Sequence, residues 1–358
     1  VLRDAEAVAV PTLSRGGFSN VWGAVVAPFR EREIADWPER SRQLESHYEA
    51  VLRLIDLSAV EDGLAELFPH FSDSFGDLRP SRQAESFLED CRAREAALRQ
   101  SGILFGRSRL AVRAAASGDR PGCAYCGLCL HGCPYGLIYN SQSTVAALQL
   151  RTGFHYRPGV VVDRIVEVGP GVTVVGEDRA DGSRVRLDGS RVFLACGVFP
   201  TTRILLATLG AYDQPLKILD SQYALIPFLR YRATRRVETE SLHTLAQAFL
   251  EMNDPGVSAH GIHIEVFTYN ELMLQVARAR LGGTAPLLGW AVRALLRRLL
   301  IFQCFLHSDT SGGLTAHLES SEGQSGGRLV VEARPNPAIG STVRALWRKL
   351  LTERRHLR

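Results

Sequence analysis

Four of the seven cysteines of this chain fall within eleven residues, as Cys123-Ala-Tyr-Cys126-Gly-Leu-Cys129-Leu-His-Gly-Cys133-Pro134. The spacing Cys-x2-Cys-x2-Cys-x3-Cys-Pro is the run with which bacterial ferredoxins hold a [4Fe–4S] cluster, because a tight turn gathers several thiolates around one inorganic core. In two-cluster ferredoxins the fourth cysteine of such a run serves the other cluster, so a lone run needs either Cys133 itself or an outside thiol. The spare cysteines are Cys91, Cys196 and Cys304. Two other readings stand beside the cluster. One is a four-thiolate zinc knuckle. The other is a Gly/Cys turn in which Cys123, Cys126, Cys129 and Cys133 bind nothing.

A chain of 358 residues exceeds one typical core, so two domains or one large interleaved unit is expected. With 46% hydrophobic and 22% charged residues the composition is that of an ordinary globular protein. The net charge of +4 arises from 42 basic and 38 acidic residues spread along the chain. No basic block stands out, so no nucleic-acid partner is expected. Only Lys217 and Lys349 are lysines, and the arginine bias reads as genome composition, not as phosphate binding. The cysteine cluster is wrong for a secreted disulfide scaffold and fits a reducing compartment, which points to the cytoplasm. The sequence opens at Val1 with no signal peptide in view. It is therefore expected to be a fragment, whose targeting segment would have been lost with the missing start.

Along the chain, Pro11 to Ala24 carries the glycine turn Gly16-Gly17-Phe-Ser19-Asn20-Val-Trp22-Gly. Glycines reach backbone angles closed to other residues and let a ligand approach the main chain; an ordinary turn is the alternative. Asp36-Trp37-Pro38 breaks the chain. Leu44, Tyr48, Val51, Leu52 and Ile55 then recur at helical spacing, which predicts a helix with one buried face. A second helix is predicted over 82–99 with Phe87, Leu88, Cys91 and Ala96 or Ala97 inward, which makes Cys91 a core residue. Ser141 to Leu150 reads as a short helix capped by Ser141 or Ser143. The period then changes. Residues 154–156, 160–168, 172–175 and 185–187 predict a small antiparallel meander with turns at Gly169-Pro-Gly and Asp181-Gly. Arg191 to Cys196 reads as a strand buried on both faces of a parallel sheet. It ends at Gly197, before a helix from Thr201, the arrangement at which nucleotide sites form in open α/β sheets.

From about Asp220 the strands expected are 223–231, 262–269, 302–308, 314–318 and 329–333, with helices over 240–252 and 271–281. Pro286 to Leu300 is amphipathic, with Leu288, Val292, Leu295, Leu296 and Leu299 opposed to Arg293 and Arg297. It is too charged to span a bilayer. Peripheral contact with a membrane surface is one reading, and packing against the domain is the preferred one. A further helix is read over 343–351, near the end of the sequence.

Taken in order, these motifs resemble the glucose-methanol-choline oxidoreductases, an FAD-dependent family. The parts are the turn Gly16-Gly17-Phe-Ser-Asn-Val-Trp-Gly23, Asp36-Trp-Pro38 with its Tyr48-containing helix, and the Cys-rich loop running into Cys133-Pro-Tyr-Gly-Leu-Ile-Tyr-Asn140. The strand Val162-x-x-Ile165 and Leu194-Ala-Cys-Gly197 with Thr202-Arg-Ile-Leu-Leu206 complete the set. Together they span about two thirds of the chain. Some bacterial sugar dehydrogenases of this family carry an iron–sulfur cluster at the Cys-rich loop.

The resemblance implies an α/β (α+β) chain. Residues 1–30 and 100–218 would be parts of a Rossmann-like FAD-binding domain, with the Cys-rich loop at 121–140. Residues 31–99 would be a helical insertion or part of the substrate domain, and 219–358 a substrate domain built on an antiparallel sheet flanked by helices. Gly16, Gly17, Ser19 and Asn20 would line the FAD pyrophosphate and flavin edge, with Trp22 beside them. Val162 would set its backbone against the adenine, and Ala195 and Gly197 would close over the cofactor; main-chain N–H groups hold diphosphates where side chains are small.

Two family features are absent: a Gly-x-Gly-x-x-Gly fingerprint and the C-terminal histidine block. His307, in Leu306-His-Ser-Asp-Thr-Ser, is the one catalytic candidate, against the alternative of a structural or solvated histidine. The implied reaction is hydride removal from an alcohol or sugar carbon to the flavin, with a histidine taking the hydroxyl proton and an electron-acceptor protein as partner. The alternatives are an iron–sulfur electron-transfer protein without flavin, and a truncated, non-catalytic fold with inert cysteines.

Overall fold

The computed structural model describes residues 12–282, 285–320 and 326–358, so Pro11 lies outside the described residues. The helices are α1 (Glu39–Arg42), α2 (Glu45–Leu52), α3 (Arg82–Arg92), α4 (Glu95–Gln100), α5 (Ser141–Leu148), α6 (Val198–Leu209), α7 (Glu271–Leu281), α8 (Ala285–Leu296) and α9 (Ala338–Glu353). The strands are β1 (Ile103–Arg107), β2 (Val160–Val168), β3 (Gly171–Asp178), β4 (Arg184–Gly189), β5 (Leu216–Leu219), β6 (Tyr223–Leu229), β7 (Ala248–Met252), β8 (Ile262–Phe267), β9 (Leu299–Phe305), β10 (Gly313–Glu319) and β11 (Arg328–Arg334). The chain is a mixed α+β protein, and every strand ladder among the described residues is antiparallel. No described helix is long and apolar enough to cross a membrane.

Two compact units divide the chain. Among the described residues, one comprises 12, 146–221, 311–320 and 326–337; the other comprises 13–145, 222–282, 285–310 and 338–358. The change of unit falls at 221. Residues 100–145, however, fold with the large antiparallel sheet of the second unit, not with 146–218 as expected.

The larger unit is built on a five-stranded sheet in the order β1-β7-β8-β9-β6. Alternation along its strands sends Leu250, Ile264, Val266, Leu300 and Phe302 to one face, where Phe87, Leu88 and Cys91 of α3 and Leu346 and Leu350 of α9 cover them. Phe302 is fully buried, with its ring stacked 4.8 Å from that of Phe228. The N-terminus of α3 is capped by Ser81, whose Oγ accepts the Ala84 N–H at 3.2 Å. Two residues on, the buried Gln83 amide accepts the Tyr269 N–H at 2.7 Å and donates to the Leu296 carbonyl at 2.9 Å. A polar side chain thus closes backbone groups that burial would otherwise leave without partners.

The smaller unit holds the meander β2-β3-β4, the sheet β11-β10-β5, and α6. Leu206 and Ala207 of α6 pack on Ile218, Ala316, Leu318 and Val331. Arg203 of α6 donates to the carbonyls of Gly326 and Val162, which fixes the helix beside a bulge in β2 at Val162/Arg164.

Several expectations are corrected. The run 240–252 is not a helix; it is a loop leading into β7, all five residues of which are buried. Its apolar period suits a helix, but the position between β1 and β8 decides the outcome. Arg191–Cys196 is not a buried parallel strand: no described strand pairs with it, and Phe193 is 87% exposed. An apolar run is buried on both faces only where neighbours flank it. Residues 154–156 are likewise outside the meander. Helix α2 forms, yet it buries no residue fully and Val51 is 46% exposed. The helix expected over 82–99 breaks between α3 and α4, which turns Leu98 inward in place of Ala96. Helix α5 is capped by Asn140, whose Oδ1 accepts the Ser143 N–H at 2.9 Å, not by a serine. Helix α8 docks through Val292 and Leu296 onto Tyr269 and Leu274 of its own unit; the side chain of Leu288 lies outside the described ones.

Phe302→Ala is expected to lower stability by about 3–5 kcal/mol, because the facing strands and helices cannot close around the void. Urea unfolding of the two proteins measures it.

Candidate functional site

The cysteine loop belongs to the larger unit. It is wound by left-handed backbone at Tyr125 (φ 53°), Gly127 (φ 75°) and Gly132 (φ 91°), so successive cysteines turn back toward one another. Tyr125 is the costly position, since a residue with a Cβ rarely adopts that conformation. Its side chain holds it there: the hydroxyl accepts the Arg79 N–H at 2.8 Å and the Arg79 guanidinium lies 4.5 Å from the ring centre. Cys123, Cys129 and Cys133 pack beside Ala24, Leu110, Val112, Leu137 and Leu245.

Backbone N–H groups point at three of the sulfurs. Leu137 N–H donates to Cys133 Sγ at 3.4 Å, Thr244 N–H to Cys129 Sγ at 3.5 Å, and the Tyr125 backbone to Cys123. Desolvation pushes the Cys123 and Cys129 thiols up, the backbone donors pull them down, and the neighbouring cysteines raise them again by repulsion between thiolates. A cation at the centre reverses that balance by deprotonating its ligands.

Zinc would bind all four sulfurs to one ion, with Zn–S bonds of about 2.3 Å, whereas in a cubane cluster each thiolate bonds a different iron. Of the spare cysteines, Cys91 and Cys304 are buried in the hydrophobic core, where desolvation raises both thiols, Cys304 to about 12. Cys196 belongs to the other unit.

The glycine turn is brought against the end of this loop. Gly16 is left-handed at φ 89°, and a Cβ there would lie 2.7 Å from the Gln142 nitrogen. Ser141 N–H donates to Ser19 Oγ at 2.9 Å, and Trp22 Nε1 donates to the Tyr139 carbonyl at 2.8 Å. Several polar groups of the turn are engaged internally. Asn20 Nδ2 donates to the Arg15 carbonyl, and the N–H groups of Gly17 and Ser19 donate to the Ser14 and Gly16 carbonyls. Val162, Ala195 and Gly197 lie in the smaller unit. There the Val162 carbonyl accepts from Arg203, Ala195 is exposed, and Gly197 (φ 85°) precedes α6.

Cys126, Leu130 and His131 line a cavity of about 430 Å³ with Leu242, Tyr269 and Glu271. Tyr269 donates its hydroxyl to Glu271 at 3.1 Å, and burial pushes the phenol up to about 12. Behind the loop, the His243 ring is 6.5 Å from Tyr125 and almost wholly buried.

His307 sits at the end of β9 beside His260 and Asp309. A second histidine site was not legible in the sequence: on β7 and β8 the directly paired Glu251 and His263 meet through Nδ1, with Arg30 3.8 Å from Glu251. Glu265 Oε1 is 4.0 Å from His263 Nε2, and desolvation raises its carboxyl. The signal missed was alternation along 262–267, which places His263 and Glu265 on one face.

No protein-family model matches this chain, and no curated protein matches it.

Desolvation, with Arg107 adding to it, depresses His243 to about 3. Protonation therefore favours the unfolded chain, and the neutral ring's contribution is complete above pH 6.5 and lost as pH falls toward 3. The wild-type chain should lose about 2 kcal/mol by pH 5 from this group alone. Denaturant melts at pH 7 and pH 5 check it: His243→Gln should show a smaller loss, and an equal loss in both proteins contradicts the assignment.

Proposed function

We propose that this chain is an oxidoreductase whose Cys123–Cys133 loop holds an iron–sulfur cluster, acting with FAD on an alcohol or sugar hydroxyl. The observation that carries the reading is the set of backbone N–H groups of Tyr125, Thr244 and Leu137 aimed at three of four neighbouring sulfurs. Such donors stabilise thiolate ligands and tune a cluster's potential. In support of the flavin, the glycine turn at 16–20 and the segment 139–142, far apart in sequence, lock together beside the cysteine loop.

In this reading Cys123, Cys126, Cys129 and Cys133 hold the cluster, which supplies one-electron transfer when bound. Bound FAD would supply the two-electron acceptor for the hydride. The chain's own part is to exclude water around the sulfurs through Leu110, Val112 and Leu137. Cys126, the exposed member, faces the cavity from which an electron partner would approach.

A second reading, a cluster-bearing electron-transfer protein without flavin, is favoured by particular observations. The run 191–196 forms no strand, and the Gly17 and Ser19 N–H groups already have acceptors.

Anaerobic purification with iron and sulfide, followed by visible spectroscopy and cofactor release, tests both. The first reading predicts a resolved flavin band over a broad iron–sulfur absorbance, with about four irons and four labile sulfides per chain. The second predicts the broad absorbance alone. Colourless protein without labile sulfide contradicts both. Cys129→Ser should lower iron and labile sulfide severalfold while leaving any flavin bound.

A further inference from the structure

We propose a second metal centre, independent of the cysteines: His260, His307 and Asp309 form a surface site for a divalent transition ion of the zinc or nickel type. The sheet register itself brings them together. His263 on β8 pairs with Phe305 on β9, and continuing that antiparallel register three residues outward sets position 260 opposite position 308, between His307 and Asp309. The two imidazoles stack with centroids 3.7 Å apart and planes 9° from parallel. Asp309 Oδ2 lies 3.2 Å from His260 Nε2 and 3.7 Å from His307 Nδ1. A tetrahedral ion with nitrogen and oxygen ligands at about 2.0–2.1 Å holds those atoms roughly 3.3 Å apart, so both distances are near what one ion needs.

Both turns are fixed by their own hydrogen bonds. The Val257 and Ser258 N–H groups donate to the Asp254 carbonyl, and the His260 N–H donates to Ser258 Oγ. Lys349 of α9 pairs with Asp254 at 2.9 Å and ties that turn to the helix. On the other side the Thr310 N–H and hydroxyl both donate to the His307 carbonyl. The carboxylates of Glu33 and Asp36 add negative potential at His307. Two facing imidazoles repel if both are protonated, whereas neutral rings beside one carboxylate suit a dication. Loading requires the stacked rings to splay so that both lone pairs converge, and it replaces the contact from the Asp309 N–H to His307 Nδ1, now 3.2 Å. The side chains are partly open to solvent, so an ion can enter and a water can complete the shell.

The test is zinc titration of the full chain after chelator treatment, with His260→Ala and Asp309→Asn, which leave all cysteines in place. Wild type should bind one more equivalent than either variant, or bind that equivalent more than about 10-fold tighter. Cobalt difference spectra, wild type minus either variant, should show ligand-field bands without sulfur charge transfer. Variants with native far-ultraviolet dichroism that bind zinc as wild type does would overturn the site. Should a variant unfold, ring NMR of the wild-type chain decides: zinc must shift the His260 and His307 resonances together, and unmoved rings overturn the proposal.

Discussion

Crowding of thiols in a partly desolvated loop is the constraint on which the functional account depends. Burial raises the Cys123 and Cys129 thiols, the neighbouring sulfurs raise them further, and the loop opposes this with backbone N–H donors and the Thr244 hydroxyl. Those donors come from three separate places: within the run at Tyr125, just after it at Leu137, and from 244 on the approach to β7. The loop is therefore shaped by tertiary structure as well as by its own sequence. A polynuclear cation held by the four sulfurs would remove the repulsion.

The scaffold beneath this loop is a five-stranded antiparallel sheet with α3 and α9 on one face. Its opposite face carries an unusual load of charge for a sheet, including the buried Glu251 against His263 and the partly desolvated Glu265. Buried charges of this kind persist when paired and hydrogen-bonded, as Glu251 is with His263. The same face also carries an apolar cluster of Leu104, Phe249 and Phe267 with Leu64 and Phe68, so the charged pairs sit among hydrophobic side chains.

The sequence was most informative where local chemistry decides the outcome. The meander of 160–189 could be read because Gly169-Pro-Gly and Asp181-Gly impose turns between alternating residues. Phe87, Leu88 and Cys91 could be read as one inward helical face. Strand β7 could not, because Leu242 to Met252 satisfies a helical period and only its position between β1 and β8 makes it extended. Arg191 to Cys196 failed for the converse reason: its apolar composition promised neighbours that the chain does not place beside it. In the candidate site, the cysteine spacing is a local motif and could be read directly. The pairing of His260 with His307 depends on strand register across β8 and β9, which composition does not carry.

Iron K-edge X-ray absorption on the reconstituted chain tests the central claim most directly. The account predicts iron with sulfur neighbours and a clear iron–iron shell, as a cubane held by Cys123, Cys126, Cys129 and Cys133 requires. A single metal coordinated by four sulfurs with no metal–metal shell, or no iron retained at all, would contradict it.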